Sequence, residues 1–543
     1  MTEPRNTLQL RIRLLFLVFC GMLVFLLVFS TLVVTRASER LDVVGSLAFF
    51  IKHKKAMVAY RINTRTTNNG VGSETLVSQT GAKAVPVLLY HGEGGSGDIS
   101  QSQFRDQMLA LKRGGWQTIT LKQFENFIKS GAPVPTKSFL LTFDDGRTDT
   151  FYSFDPVLKD LGYNAVMFVI TGFSLPDNSS RASNSYYLNK TELRYMAASG
   201  RWELHSHGAE DHRQHAVPSV TSSELIPGAH FLSNKFLVAS ENRLESTAEY
   251  TARVTQDLAD SRQVLEQAFG KPVTAFAYPF SDYGQDSVNF PESKELLGSM
   301  VSSIYTLSFY QVNPDKGDLF NYPDPDAFMI KRVGPHSDWS GTDLLAVLDV
   351  AGPKKLPYQA SFFGKGWLNN WGSMDVSNNL RLSAVPDSSG ASALLYGTTW
   401  WTNYVVYAST TLRDGTSETI LVRYRNEENR ASCTFLEGGA QIEQVVNGVR
   451  QTIARNSSRL LTDLSLQKNL GAIVSGNYLA CAVNGVIVTA VELDYSLASG
   501  AFGFSTWDMS LGVADMTVHS VEVTQIDASA FAIKQFLVAL EDR

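Results

Sequence analysis

The sequence is poor in cysteine: Cys20, Cys433 and Cys481 are the only three in 543 residues. That excludes zinc fingers and Cys-x-x-Cys redox motifs. Runs of like charge are also missing. Forty-seven Lys and Arg stand scattered against 53 Asp and Glu, for a net charge of -6. No basic stripe marks a nucleic-acid surface, so a nucleic-acid partner is not expected. Apolar residues make up 44%, an ordinary value for globular domains with real cores. The length suits about three units at the usual ~150 residues per domain.

Long apolar runs are absent with one exception, residues 14–34, which carry no charge and follow Arg11 and Arg13. About 20 apolar residues span a bilayer. A secretory signal has a shorter apolar part, about 7–15 residues, ending in small residues. This run ends Leu-Val-Val-Thr-Arg, which favours an uncleaved transmembrane helix behind a short cytoplasmic tail, residues 1–13. Cys20 inside it reads as a buried apolar thiol. Arg5, Arg11 and Arg13 favour a cytoplasmic N-terminus; Arg36, Arg40, Lys52, Lys54 and Lys55 argue the other way. Charge alone leaves orientation open. Residues 35–84 read as a stalk and linker. Apolar residues recur over 43–51, as in a helix near the membrane, and 63–81 is rich in Thr, Asn, Gly and Ser.

From residue 85 the texture changes. Apolar strand-like runs at 85–90, 139–143, 165–171, 273–278 and 328–333 alternate with helical patterns at 101–114, 152–161, 189–199, 249–269 and 342–349. Such alternation predicts an α/β fold with a parallel sheet or barrel. Sites in those folds lie at the carboxyl ends of strands. Two adjacent acids, Asp144 and Asp145, fall at such an end in Phe139-Leu-Leu-Thr-Phe-Asp-Asp-Gly146. Neighbours on a strand point to opposite faces, so one acid can bind a cation while the other moves a proton. Read alone, the pair is equally an Asp-Gly turn with two solvated acids. Four of the nine histidines, His205, His207, His212 and His215, then cluster behind strand-like 202–204. Clustered neutral imidazoles point to a metal.

Val85-Pro-Val-Leu-Leu-Tyr-His91, Leu141-Thr-Phe-Asp-Asp-Gly146, Ser206-His207 and Phe276-Ala-Tyr-Pro-Phe280 occur in that order. Together they resemble the polysaccharide deacetylases of carbohydrate esterase family 4, the NodB-homology domain, over residues 85–351. The nearest branch in pattern is the exported deacetylases of poly-N-acetylglucosamine-like glycans. The resemblance implies an irregular (β/α) barrel and metal-dependent removal of acetyl groups from sugars. It implies Asp144 as catalytic base, Asp145 and His207 as metal ligands, and the Phe280 N–H as oxyanion donor. Many members place the second histidine four residues on, where this chain has Asp211; His212 fits the five-residue spacing of other branches and is the expected ligand. Tyr278, Pro279 and Tyr283 are expected beside substrate, and zinc is the expected ion. The family's late Leu-x-His motif, which supplies a general acid, has no clear copy; His336 is the late candidate. The arginine that tunes the base is not identifiable either, Arg332 being a candidate without support.

Residues 355–527 read as all-β, with Asn447-Gly448 and Asn484-Gly485 as hairpin turns. The ending Gly500-Ala-Phe-Gly-Phe-Ser-Thr-Trp507 resembles concanavalin-like jelly rolls, which often bind glycans. Trp367, Trp371, Trp400 and Trp401 are candidates to stack on sugars or to fill the core. Cys433 and Cys481 lie in strand-like segments; a disulfide and two buried thiols are both open. Residues 528–543 read as a terminal helix. The expectation is thus a single-pass cell-membrane enzyme of the envelope, its two large domains extracytoplasmic, acting on an acetylated polysaccharide. The missing late histidine motivates a rival, a non-catalytic glycan-binding scaffold with a degenerate esterase domain.

Overall fold

The computed structural model describes residues 43–65, 81–94, 99–176, 182–218, 225–314, 318–360, 364 and 366–526. The tail 1–13, the apolar run 14–34 and the expected helix at 528–543 lie outside the described residues. Among the described residues no helix is long and apolar enough to cross a membrane.

Seven parallel strands close into a barrel. They are β1 (Val85–Tyr90), β2 (Ser138–Phe143), β3 (Ala165–Val169), β4 (Trp202–Ser206), β5 (Ala275–Ala277), β6 (Leu307–Val312) and β7 (Met329–Val333). β1 closes the ring by pairing with β2 on one side, Val87 opposite Leu140, and with β7 on the other, Leu88 opposite Val333. Strands covered on both faces become continuous apolar runs rather than alternating ones. β1, β2 and β3 are buried at every residue, and one set of side chains, including Val87, Leu140, Val166 and Phe309, fills the interior. The other set, including Leu88, Leu141 and Met167, meets the surrounding helices. The helix Thr247–Phe269 shows how local sequence sets an element: Ser246 and Glu249 form a capping box, and Gly270 ends it at φ 64°.

A helix, α1 (Val43–Arg65), forms over 43–51 as expected and runs on to Arg65, but it is packed on the barrel's flank rather than being a detached stalk. Phe49 is buried and stacks on Tyr195 at 4.3 Å. His53 Nε2 lies 3.2 Å from the buried Asp155 carboxylate, and the Tyr60 hydroxyl donates to Asp160 at 2.9 Å. Phe49, His53, Ala56 and Tyr60 recur at helical spacing, and their burial partners exist only once the barrel has folded.

The C-terminal region is a pair of antiparallel sheets around a common core. One has seven strands and includes Asn429–Leu436; the other has eight and includes Tyr478–Val483. A disulfide between Cys433 and Cys481 ties the sheets together, with Cα atoms 5.5 Å apart. The two Asn-Gly hairpins form as expected, with Asn447, Gly448, Asn484 and Gly485 all at positive φ. Trp367 and Trp401 are core residues, which removes them as sugar platforms. Trp371 and Trp400 are half-buried. Trp507 is 45% exposed and, with Trp371, lines a cleft on the outward side of the seven-stranded sheet.

Candidate metal-dependent active site

The chemistry gathers at the carboxyl ends of the strands. Asp144 and Asp145 follow β2, and His207 follows β4. Asp145 adopts φ 73°, a left-handed conformation uncommon outside glycine. In that turn its carboxylate lies near both histidines. Asp145, His207 and His212 each offer one ligand atom, all within 4.8 Å of one another. His207 Nε2 is 3.7 Å and His212 Nε2 3.8 Å from Asp145 Oδ1. His205 and His215 stay outside this group. His205 is buried on β4 and held down to about 3 by burial; His215 packs on Phe236.

The donors suit a divalent ion. His207 Nδ1 lies 2.7 Å from the Ala277 carbonyl oxygen, which only accepts, so Nδ1 carries the hydrogen and Nε2 presents a lone pair. His212 Nδ1 lies 3.1 Å from Asp211 Oδ1, which turns its Nε2 toward the same point. Carboxylates and carbonyls behind ligating histidines fix tautomer and orientation in this way. Burial lowers both imidazoles' pKa, His212 to about 4 and His207 well below its usual value, which keeps them neutral. Asp211, at the four-residue spacing, thus supports His212 from behind. Burial pushes its own carboxyl well above the usual range.

Asp144 is 2% exposed and receives both terminal nitrogens of Arg332, at 2.6 and 2.8 Å. Burial alone would raise its pKa; the guanidinium overrides burial and holds it at about 2. Arg332 comes from β7, 188 residues downstream. His207 Nε2 lies 3.6 Å from Asp144 Oδ2, so an ionised carboxylate borders the three donors.

Phe280 follows β5 at φ 56°, its ring 47% exposed and 5.5 Å from that of His212. The turn's hydrogen bonds run from Ser281 N–H to Tyr278 and from Asp282 N–H to Pro279, leaving the Phe280 N–H outside that pair. Pro279 is buried beneath it. Tyr278 is 1% exposed and packs outside the barrel against Phe276, so the expectation that it borders substrate is corrected: alternation along β5 turns it away from the mouth. Tyr283 is half-buried between Tyr278 and Tyr310. His336 is exposed, 4.8 Å from the Trp339 ring, and lines a cleft of about 800 Å³ with His91, Arg147, Ser281 and Gln311. It is not among the metal donors.

Two features were not assigned from sequence. His91, at the end of β1, is half-buried, lines the adjoining cleft and acts electrostatically on Asp144, Asp145 and His212. The strand-end rule that selected Asp144 would have selected it too. His230, Asp282 and Asp286 form a second cluster of metal-ligand type. There Asp282 is already occupied by His230 Nδ1 at 2.8 Å, the Ser233 hydroxyl, and the N–H groups of Gly284 and Asp286. That saturation reads as a brace for the Phe280 turn, on which His230 stacks at 4.5 Å.

Residues 131–296 match the family model described as polysaccharide deacetylase. Over that stretch the chain is similar to polysaccharide deacetylases. It is 24% identical over 210 residues to the putative polysaccharide deacetylase YxkH of Bacillus subtilis, covering 38% of this chain and 61% of that protein. It is 29% identical over 190 residues to the poly-beta-1,6-N-acetyl-D-glucosamine N-deacetylase of Staphylococcus aureus, covering 35% of this chain and 56% of that one. The chain thus spans about three-fifths of the curated relatives it matches. Among solved structures, the de-N-acetylase from Aggregatibacter actinomycetemcomitans aligns with 49% of this chain and 100% of its own, at 20% identity and TM-score 0.40.

Proposed function

We propose that this protein is a metal-dependent deacetylase that hydrolyses N-acetyl, or O-acetyl, groups on an envelope polysaccharide of the poly-N-acetylglucosamine class. One observation carries the reading: three neutral or anionic donors on Asp145, His207 and His212 converge beside a carboxylate held ionised by Arg332. Asp145, His207 and His212 would hold a divalent ion, zinc first on the donor set, which when bound polarises the acetyl carbonyl and acidifies water. Asp144, as general base, takes the proton of the attacking water at the carboxylate oxygen facing His207. Arg332 keeps that carboxylate charged and aimed. The Phe280 N–H would donate a hydrogen bond to the acetyl oxygen as charge develops on it. The leaving amine needs a proton; Asp144 returns the one it took, and His336 stands on the wall of the adjoining cleft as the alternative donor.

The same reading makes residues 14–34 a single membrane anchor and both large domains extracytoplasmic, where glycan polymers lie. The Cys433–Cys481 disulfide supports an oxidising compartment. Acetate release from an acetylated β-1,6-glucosamine oligomer, abolished by chelator and restored by zinc, is the expected result. Silence across several acetylated glycans would return the protein to the scaffold reading.

A further inference from the structure

The helix α1 (Val43–Arg65) has two apolar faces, and the barrel covers one of them. At 3.6 residues per turn, Phe49, His53, Ala56 and Tyr60 share the inward face. The opposite arc carries Phe50, Ile51 and Val58, which are 56%, 47% and 52% exposed. Lys54, Lys55 and Arg61 are interleaved with them, all exposed. The helix contains no Asp or Glu, in a chain whose net charge is -6. A soluble surface helix has little use for three exposed large apolar side chains on its outer arc, only Phe50 being partly covered, by the Lys54 ammonium 5.2 Å from its ring centre. The charge-free run 14–34 ends eight residues before α1 starts. Eight residues reach at most about 28 Å fully extended, so a chain crossing the bilayer there must deliver α1 close to its surface.

We propose that the outward face of α1 lies on the membrane surface among anionic lipid headgroups, as a mount that fixes the barrel against the bilayer. Phe50, Ile51 and Val58 enter the boundary between headgroups and acyl chains. Lys54, Lys55 and Arg61 reach along the surface to the phosphates. This inference rests on the membrane anchoring proposed above. It also sets the barrel's attitude. The start of α1 meets the start of the helix Thr148–Leu161, Phe49 lying 6.1 Å from Phe151, and its later part meets the end of that helix through Tyr60 and Asp160. The two helices therefore run side by side, downward from the Asp144–Asp145 end of the barrel. With α1 flat on the membrane, the barrel lies on its side and its mouth opens along the surface.

The test uses the full chain with Cys20→Ser, the Cys433–Cys481 bond intact, and an environment-sensitive fluorophore on Val58→Cys or Phe50→Cys. The chain is placed in nanodiscs containing phosphatidylglycerol; the control position is Lys122→Cys, whose side chain is 69% exposed on the barrel. The expected result is a blue-shifted emission at positions 50 and 58, quenched by lipid-borne spin labels, with the control unshifted. Lys54→Glu with Lys55→Glu should lose most of that shift. Co-elution with the disc but water-like emission at both positions overturns the mount while leaving the anchor standing. Failure to co-elute overturns both. Shielding that appears in detergent and grows with protein concentration shows a second copy on this face and overturns the lipid assignment.

Discussion

The barrel and the sandwich each bury a carboxylate, and they treat it in opposite ways. In the barrel, Asp144 meets the two terminal nitrogens of Arg332 and is held ionised at about 2. In the sandwich, Glu418 is 0% exposed with no guanidinium on it, and burial pushes its pKa up to about 7, the Thr410 hydroxyl offsetting only part of that. Lys468 lies near enough to lower it in part, but that ammonium is spent on the carbonyls of Asp463 and Leu466. Burial by itself therefore does not mark a functional acid. A second charge delivered in fixed geometry, with further donors converging beside it, does. The barrel brings strand ends together from all along its sequence, so it can supply that second charge. The sandwich packs apolar faces and stores its acid as an electrostatic cost.

The comparison can be broken most severely at Asp144. Asp144→Asn keeps the shape and removes the base, so acetate release should fall by about 10²–10⁴-fold. Divalent metal bound per chain, read by elemental analysis, should stay unchanged. Unaltered turnover would mean that the charge on Asp144 serves only Arg332.

The next effect belongs to the sandwich. Replacing Cys433 and Cys481 by Ser opens a link across 48 residues, which on the chain-entropy model lowers the stability of that region by about 4 kcal/mol. Denaturant unfolding should show this in the sandwich transition while acetate release by the barrel is kept. A parallel loss of activity would show that the two regions unfold as one.

Glu418→Gln sharpens the contrast directly. Glu418 has its pKa raised in the folded state above the unfolded value of about 4.5, so the folded protein keeps its proton where the unfolded chain loses it. Stability from this group is greatest below pH ~4.5 and declines as pH rises to ~7, by up to about 3 kcal/mol. The Gln variant should be more stable than the parent at pH 7 and lose that slope. A slope that survives in the variant would place the titration elsewhere.

Arg332→Met is the mildest in direction but the most diagnostic. Without the guanidinium, burial is left to raise Asp144, and the acid limb of the kcat/KM profile should move up by roughly 1–3 pH units. A profile that stays in place would show that Arg332 does not tune the base.

Much of this was legible along the chain because the signals are local. The run Phe139–Phe143 ending in two acids reads as a strand with chemistry at its end, and the strand formed. His207 and His212 stand within one loop, so their neighbourhood needed no long-range contact. The Asn-Gly hairpins follow from two residues that tolerate positive φ. What the eye missed depends on which face a side chain takes or on distant partners. Tyr278 looked available beside Pro279, but strand alternation turns it outward into the helix layer. Trp367 and Trp401 were open between sugar platform and core and are core, because a second sheet covers them. Residues 43–65 looked like stalk, because the groove that buries Phe49 and Tyr60 is absent from their own sequence.

The sequence by itself determined six of the seven barrel strands, the acid pair, the histidine cluster and the all-β character of the C-terminal region; the helix Ser293–Ile304 and the strand Leu307–Val312 were not read from it. What was read follows from local periodicity, turn chemistry and residue type. Only tertiary structure brought Asp145, His207 and His212 within 4.8 Å of one another, because they follow two different strands of the barrel. It alone brought Arg332 onto Asp144 across 188 residues, through closure of the barrel. It alone put Cys433 against Cys481, since sequence carries no register between strands of different sheets. Contacts made between residues far apart in the chain are set by the packing of whole faces, which no short stretch contains.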